Sequence, residues 1–459
     1  MKKIFIHSGL TVNHSARVTK WFARIESAAQ DTLKRIDIGS NHFCLSFAKL
    51  VPQDLESYPI VRVVASDGKN LAELLGYVPK KLTYLSFYFE LSRNAELKTI
   101  QYGPLEVRFE SKTIPQFWDE VAQVIGFHSV LAISRELRNS AYSKPLVHQE
   151  MMRLSPSKRL TIKVFKAVLN RLTGRNKKLK QWSIGLFDKN NANGDLLSFG
   201  SSDVKWIETP SDRFWADPQL YAWNNVPYLF YEELIYQEGI GKLFVVPIDA
   251  EKKSLSGKPI EVTFLPAIDQ HLSFPNLFEH DGSLWMLPEN SQSGKTNLYK
   301  CTEFPNKWKL HRTLLTNVAG IDPVVFFNLG VVYLFVTDGS LDNYDNNLRL
   351  FHSDSLFSEF IEHPQSPIAL GLVGSRMGGN LIEQNGNLLR VAQNCSVRYG
   401  GSIEVFEVVK LTTTEYEERY VRTIEPDPDG PYPLGLHTFS TNDAAKLSAI
   451  DGLRLVDRS

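Results

Sequence analysis

Cysteine is scarce in this 459-residue chain: only Cys44, Cys301 and Cys395 occur, odd in number and far apart. They frame no disulfide network and no zinc-type spacing, so a reducing, cytoplasmic setting is expected. Net charge is absent too. Lys and Arg total 51, as do Asp and Glu, so nothing global points to nucleic acid as a partner. No apolar run reaches the length of a membrane span. The opening Met1-Lys2-Lys3-Ile4-Phe5-Ile6 loses its apolar character at His7 and Ser8, and is expected to be a buried first strand rather than a leader. There is no G-x-G-x-x-G after that strand, no P-loop, no G-x-S-x-G elbow and no Cys/His cluster, so neither cofactor nor metal is expected. What is present is ordinary globular composition, 43% hydrophobic and 22% charged, with aromatics at 11%.

The texture changes twice along the chain, which predicts a multi-domain protein. Residues 1–150 read as an α/β domain. Strands are expected at Lys3 to Ile6, Ile60 to Ala65 and Leu105 to Phe109, with helices over Ala16 to Ala29 and Ile114 to Val124. Residues 151–180 read as a basic helical linker. The stretch 151–181 holds ten Lys or Arg and no Asp or Glu, and Ile162, Phe165, Val168, Leu169 and Leu172 share one helical face. Such a helix either lies on an anionic membrane through residues 160–180 or is a solvated connector, as most charge runs are. From residue 181 to 459 the pattern is all-β.

Within that last region four segments align without a gap. They begin at Asp217-Pro218-Gln219-Leu220, Phe274-Pro275-Asn276-Leu277, Asp322-Pro323-Val324-Val325 and Gly378-Gly379-Asn380-Leu381. Each reaches a turn residue (Asn225, Gly282, Gly330 or Gly386) and then a second strand ending Glu232-Glu233, Glu289-Asn290, Thr337-Asp338 or Gln393-Asn394. Strand, tight turn with positive φ, and strand, repeated about every 50 residues, predict a β-propeller. A looser fifth unit, around Gly435-Leu436-His437-Thr438-Phe439 and Asp451-Gly452, makes five blades, with six if one is missed. Trp182 to Phe187 is placed to complete the last blade and close the ring.

First strands line a propeller's channel, so the column Asp217, Phe274, Asp322, Gly378 is expected at one mouth. An Asp-Pro before a strand is often only a turn cap. Here the column varies in residue type, which argues against a shared turn requirement, so the two Asp are either turn caps or functional groups. Glu232, Glu289, Thr337 and Gln393 form the next column, followed by Glu233, Asn290, Asp338 and Asn394. Carboxylates and amides at this density suit sugar hydroxyls, and paired carboxylates suit glycosidic chemistry. His271 and His437 sit at blade entrances, and Arg376 and Arg398-Tyr399-Gly400 are anion-binding candidates. Trp215 is either a stacking platform or blade core.

These residues carry a resemblance. Trp215-Ala216-Asp217-Pro218 with Tyr228-Leu229-Phe230-Tyr231-Glu232-Glu233, His271-Leu272-Ser273-Phe274-Pro275, Met286-Leu287-Pro288-Glu289-Asn290 and Gly435-Leu436-His437-Thr438 resemble five-bladed glycoside-hydrolase-like propellers. Residues 181–455 resemble the propeller beside the transferase domain of glucosamine inositolphosphorylceramide transferases. Similar bacterial proteins carry it behind a formyltransferase-like region, which would make residues 1–150 a degenerate relative of that domain. The resemblance implies a role in cell-surface polysaccharide or glycolipid biosynthesis. It implies Asp217 as base or nucleophile and Asp322 as the group that orients the ligand or tunes the acid. The general-acid Glu of the hydrolases has no counterpart, because Gln393 occupies that column; Glu289 and Glu232 are the substitutes, and Glu289 is favoured.

The expected function is therefore binding of a glycan or sugar phosphate at the channel mouth, with glycosyl transfer or hydrolysis through Asp217, Asp322 and Glu289. Substrate contacts are expected from Trp215, Glu232, Glu233, His271, Arg376, Gln393, Asn394, Tyr399 and His437. Two alternatives stand beside it: a non-catalytic propeller that binds a glycan or partner for another enzyme, and chemistry housed in the N-terminal domain.

Overall fold

The structure, a computed structural model, describes residues 3–7, 16–33, 42–46, 60–65, 84–93, 96–108, 114–138, 178–189, 196, 204–340 and 345–457. The chain divides into two units, Met1–Lys178 and Leu179–Ser459. The basic helix expected over 151–180 lies outside the described residues but for its end, where Leu179 and Lys180 already begin a strand.

In the first unit a sheet runs in sequence order through Lys3–His7, His42–Ser46, Ile60–Ala65, Tyr84–Arg93 and Glu96–Arg108. The first three strands are parallel, and the remaining pairings are antiparallel. Helices span Ala16–Leu33 and Ile114–Arg138. The second is longer than its sequence signal because the apolar face continues through Ile125, Phe127, Val130 and Leu131, all buried. The two helices meet at Gly126, where a Cβ would lie 2.5 Å from Ile25 O.

The second unit is a five-bladed β-propeller. Blade one is built on Arg213–Trp223, Val226–Ile235 and Gly241–Asp249, and blade two on Ser273–His280, Ser283–Glu289, Thr296–Glu303 and Lys307–Leu315. Blade three holds Gly320–Asn328, Val331–Asp338 and Asn347–Ser353. Blade four holds Val373–Met377, Ile382–Gln384, Asn387–Asn394, Ser402–Leu411 and Tyr416–Ile424. Blade five joins Phe439–Asn442 and Leu447–Val456 from the chain's end to Leu179–Asp188 and Lys205–Trp206 from the unit's start. The ring is thus closed by the strand expected to close it. Ile184, Leu186, Leu447 and Ala449 of blade five pack on Trp215, Leu220, Leu229 and Tyr231 of blade one. Burying side chains of this size stabilises by about 1.5–3 kcal/mol each.

The repeated turns have the expected backbone. Asn224-Asn225, Asp281-Gly282, Leu329-Gly330 and Asn385-Gly386 all hold positive φ at both central positions, between 49° and 80°. That is the type I′ turn, whose twist matches the strands it joins. The fourth inner strand departs from its repeat by breaking between Met377 and Ile382. Gly378 and Gly379 fill the break, and a Cβ on Gly379 would fall 2.1 Å from Phe439 O. These glycines let blade five's first strand cross close by, with Phe439 N–H donating to Gly378 O (2.7 Å).

Candidate functional site

Asp217, Phe274 and Asp322 share more than a column. Each has a left-handed φ (54°, 44° and 44°) at a break in the ladder with the second strand. Pro218, Pro275 and Pro323 follow and have no N–H to leave unpaired. This corrects the inference drawn from the column's variable residue types. The backbone requirement does recur in three blades, and non-glycine residues meet it with strain of the kind that persists only where surroundings enforce it.

The enforcement comes from carboxylates. Asp217 N–H donates to Asp451 Oδ2 (3.0 Å), Phe274 N–H to Asp217 Oδ2 (3.1 Å) and Asp322 N–H to Glu289 Oε2 (3.2 Å). Three times, an acid of one blade clasps the left-handed residue of the next. Gly378, which is not held this way, donates to Val391 O in its own blade.

Two buried cations organise the rest. His437 is 2% exposed and sits between blades five and one, with Nε2 3.1 Å from Asp217 Oδ1 and Nδ1 2.9 Å from Asp451 Oδ2. Both are ion-pair contacts, and the second falls outside hydrogen-bond angles. Burial alone would lower the imidazole's pKa, but the charge of Asp451 and the bond to Asp217 push it up to about 10. Asp217 is raised by burial but lowered by His437, by the Thr438 hydroxyl (2.8 Å) and by Phe274 N–H; the lowering wins, and Asp217 is ionised. Arg376 is the second cation. Its Nε donates to Asp322 Oδ2 (2.7 Å), its other nitrogens lie 3.6 Å from Glu289 Oε2 and Asp345 Oδ1, and it covers the Tyr399 ring at 5.0 Å. Gln393 Nε2 donates to Asp322 Oδ2 as well (2.8 Å). Burial raises both Glu289 and Asp322; the charge of Asp322 pushes Glu289 further up, whereas the charge and hydrogen bond of Arg376 offset part of the rise in Asp322. One mouth therefore holds an ionised Asp217 and a protonated Glu289.

Strand alternation divides the predicted residues. Glu232, Glu289 and Gln393 join the charged group of Asp217, Asp322 and Arg376, with His271, Tyr399 and His437 around them. The neighbouring column serves the blades. Glu233 accepts from Arg213 (3.0 Å) and from the Trp215 indole (2.7 Å), and Trp215 is packed in the seam between blades five and one. Asn394 binds Glu404 (2.6 Å) and Ser396 (2.7 Å) within its own sheet and turn. Trp215, Glu233 and Asn394 are thus engaged in packing and turn bonds rather than brought to the channel group.

Sequence reasoning passed over Asp451, whose carboxylate accepts from the N–H groups of Asp217, His437 and Thr438. Its signal was the Asp451-Gly452 of the loose fifth unit. A four-residue loop, 443–446, replaces the two-residue turn there and shifts the register. Asp217, His437 and Asp451 are also the one group among the described residues whose ligand atoms lie close enough for a metal, within 4.8 Å of one another. As they stand, both ring nitrogens of a protonated His437 face carboxylates and have no lone pair for a metal.

Comparison with known proteins adds a family. The model described as glucosamine inositolphosphorylceramide transferase 1, N-terminal, matches residues 199–429. The chain is similar to glucosamine inositolphosphorylceramide transferase 1 of Arabidopsis thaliana, 32% identical over 215 residues, or 45% of this chain and 27% of that protein. The counterpart from Oryza sativa subsp. japonica is 30% identical over 212 residues, 45% of this chain and 28% of its own. The chain thus spans little more than a quarter of these relatives. Among solved structures, a family 117 glycoside hydrolase of Zobellia galactanivorans aligns with TM-score 0.37 and 10% identity, covering 60% of this chain and 91% of that one. A Bacillus subtilis arabinanase aligns with TM-score 0.37 and 14% identity, covering 52% and 93%. With its matched segment taking in half of the sequence, the chain belongs to the glucosamine inositolphosphorylceramide transferase 1 N-terminal family.

Proposed function

We propose that this is a carbohydrate-active protein of cell-surface polysaccharide or glycolipid biosynthesis, whose propeller binds a sugar or sugar phosphate at the channel mouth and acts on a glycosyl group there. The observation that supports this most is the pairing of an ionised carboxylate, Asp217, with protonated glutamates in the next column, Glu232 and Glu289. Carboxyls whose surroundings push their proton affinities apart are the usual basis of acid and base roles in glycosyl chemistry. Asp217 would be base or nucleophile, a glutamate of that column the acid, and Asp322 with Arg376 the orienting pair. Tyr399, half-buried over Arg376, offers a ring to a sugar face. The plant relatives' names, as transferases of glucosamine, support a sugar as the ligand.

A second reading, a glycan-binding propeller without chemistry, is favoured by a different observation: Asp217 and Glu289 already clasp backbone N–H groups of the next blade. The two separate with Asp217→Asn. Under the first reading, turnover of aryl glycosides or of a sugar-phosphate donor falls by about 100-fold or more while binding by calorimetry persists. Full activity in the variant removes Asp217 from any mechanism, and binding without turnover in the parent leaves the second reading.

Residues 1–150 belong to this proposal as an α/β domain, a degenerate relative of formyltransferases, in a cytoplasmic protein. Residues 151–180 belong to it as a basic linker that touches anionic membrane. Unchanged association with phosphatidylserine vesicles after neutralising Lys163, Lys166 and Arg171 would remove the membrane contact.

A further inference from the structure

The carboxyls at the channel mouth differ in what already occupies them. Asp217 holds Phe274 N–H, the Thr438 hydroxyl and His437; Asp322 holds Arg376 and Gln393; Asp451 holds three backbone N–H groups; Glu289 holds Asp322 N–H. Glu232 accepts no hydrogen bond from the described residues, though it is 5% exposed and its Oε1 is buried. A carboxyl in that position costs stability unless a ligand or a proton satisfies it. Burial first, then the charge of Asp217, hold its proton affinity well above that of a free carboxyl.

Its neighbour is built to receive the negative charge left behind. Gly241 N–H donates to His271 Nδ1 (2.9 Å), so the neutral ring carries its proton on Nε2, and Nε2 lies 3.3 Å from Glu232 Oε1. Burial lowers the His271 pKa and keeps the ring neutral. Gly241 also makes the room. A Cβ there would fall 2.3 Å from Glu232 Oε1 and 2.6 Å from His271 Cε1.

We propose that Glu232, positioned by His271, is the acid that donates a proton to the departing glycosidic oxygen at this mouth. The inference rests on the glycosyl-group reading and replaces Glu289, the acid favoured from sequence. As the bond between anomeric carbon and leaving oxygen breaks, its electron pair stays on that oxygen and the Glu232 proton goes to it. An acceptor hydroxyl, from water or an alcohol, bonds to the anomeric carbon and gives its proton to Asp217. The new Glu232 carboxylate then takes the His271 Nε2–H as its hydrogen-bond donor.

Leaving-group dependence tests this directly. Phenyl and 2,4-dinitrophenyl glycosides are compared in the full chain with Glu232→Gln and Glu289→Gln. Glu232→Gln is expected to slow the phenyl glycoside by about 100-fold or more and the dinitrophenyl glycoside, whose oxygen leaves without a proton, by less than about fivefold. A misfolded variant loses both equally. His271→Leu is expected to move the basic limb of the kcat/KM profile to higher pH, because the Glu232 anion loses a donor while Asp217, Glu289, His437 and Asp451 still face it. A leaving-group contrast in Glu289→Gln and none in Glu232→Gln overturns the assignment alone. A parent protein inert toward every glycoside overturns the glycosyl reading and, with it, the acid.

Discussion

The two halves of the channel mouth solve one problem with different cations. Where blade five meets blade one, a histidine is held between Asp217 and Asp451. Across blades two to four, an arginine spans Asp322, Glu289 and Asp345. Each lies against a buried carboxyl group that clasps a left-handed residue of the next blade. The histidine half is the seam where the two ends of the unit come together, and its charge depends on pH. The arginine half is permanently charged, and its guanidinium packs against the Tyr399 ring. Ring closure therefore falls on the histidine side, where Glu232 of blade one is the carboxyl that accepts no hydrogen bond from the described residues.

The largest expected effect is on the histidine side. Asp451→Ala leaves three N–H groups and one face of the imidazolium unpaired, and should cost about 3–5 kcal/mol in urea unfolding followed by tryptophan fluorescence. A cost under 1 kcal/mol would mean that closure depends on the apolar seam alone. Arg376→Gln comes next, at roughly 2–4 kcal/mol, because Glu289 and Asp322 are already raised and can discharge by taking a proton. If it exceeds Asp451→Ala, the division of labour drawn above is reversed.

The third effect is pH dependence, present in one half only. Because folding raises the His437 pKa from 6.5 to about 10, its contribution is complete below about pH 6.5 and fades as pH rises through 10. The stability advantage of the parent over His437→Gln, on the order of 1–3 kcal/mol at pH 6, should vanish by pH 11, whereas the advantage over Arg376→Gln should not follow that curve. Parallel curves would show that His437 is neutral in the folded protein. The smallest effect lies away from both halves. Leu329 is 95% exposed with φ of 49° in a turn where the other blades have Asn or Asp, so Leu329→Asn should stabilise by about 0.5–1 kcal/mol in thermal unfolding without touching the mouth.

Much of the fold was legible because it is local. The turn residues specify positive φ by their chemistry, and the ungapped spacing carries the register from blade to blade. The fifth blade blurred where the loop 443–446 broke that spacing, which hid Asp451. The site was legible as columns but not as functions. Glu232 and Glu233 are adjacent in sequence, yet alternation sends one to the channel and the other to Arg213 and Trp215. Gly378 and Gly379 of the fourth repeat lie where a crossing strand needs space.

By itself, then, the sequence determined the repeat, the I′ turns, the closing strand and the rim on which carboxylates gather, since each follows from backbone preference and spacing over a few residues. Only the tertiary structure decided which carboxyl is clasp, which is counter-ion and which is free. The deciding partners are 33, 57 and 234 residues away along the chain, and a hydrogen bond is assigned by where the ring brings its two ends together.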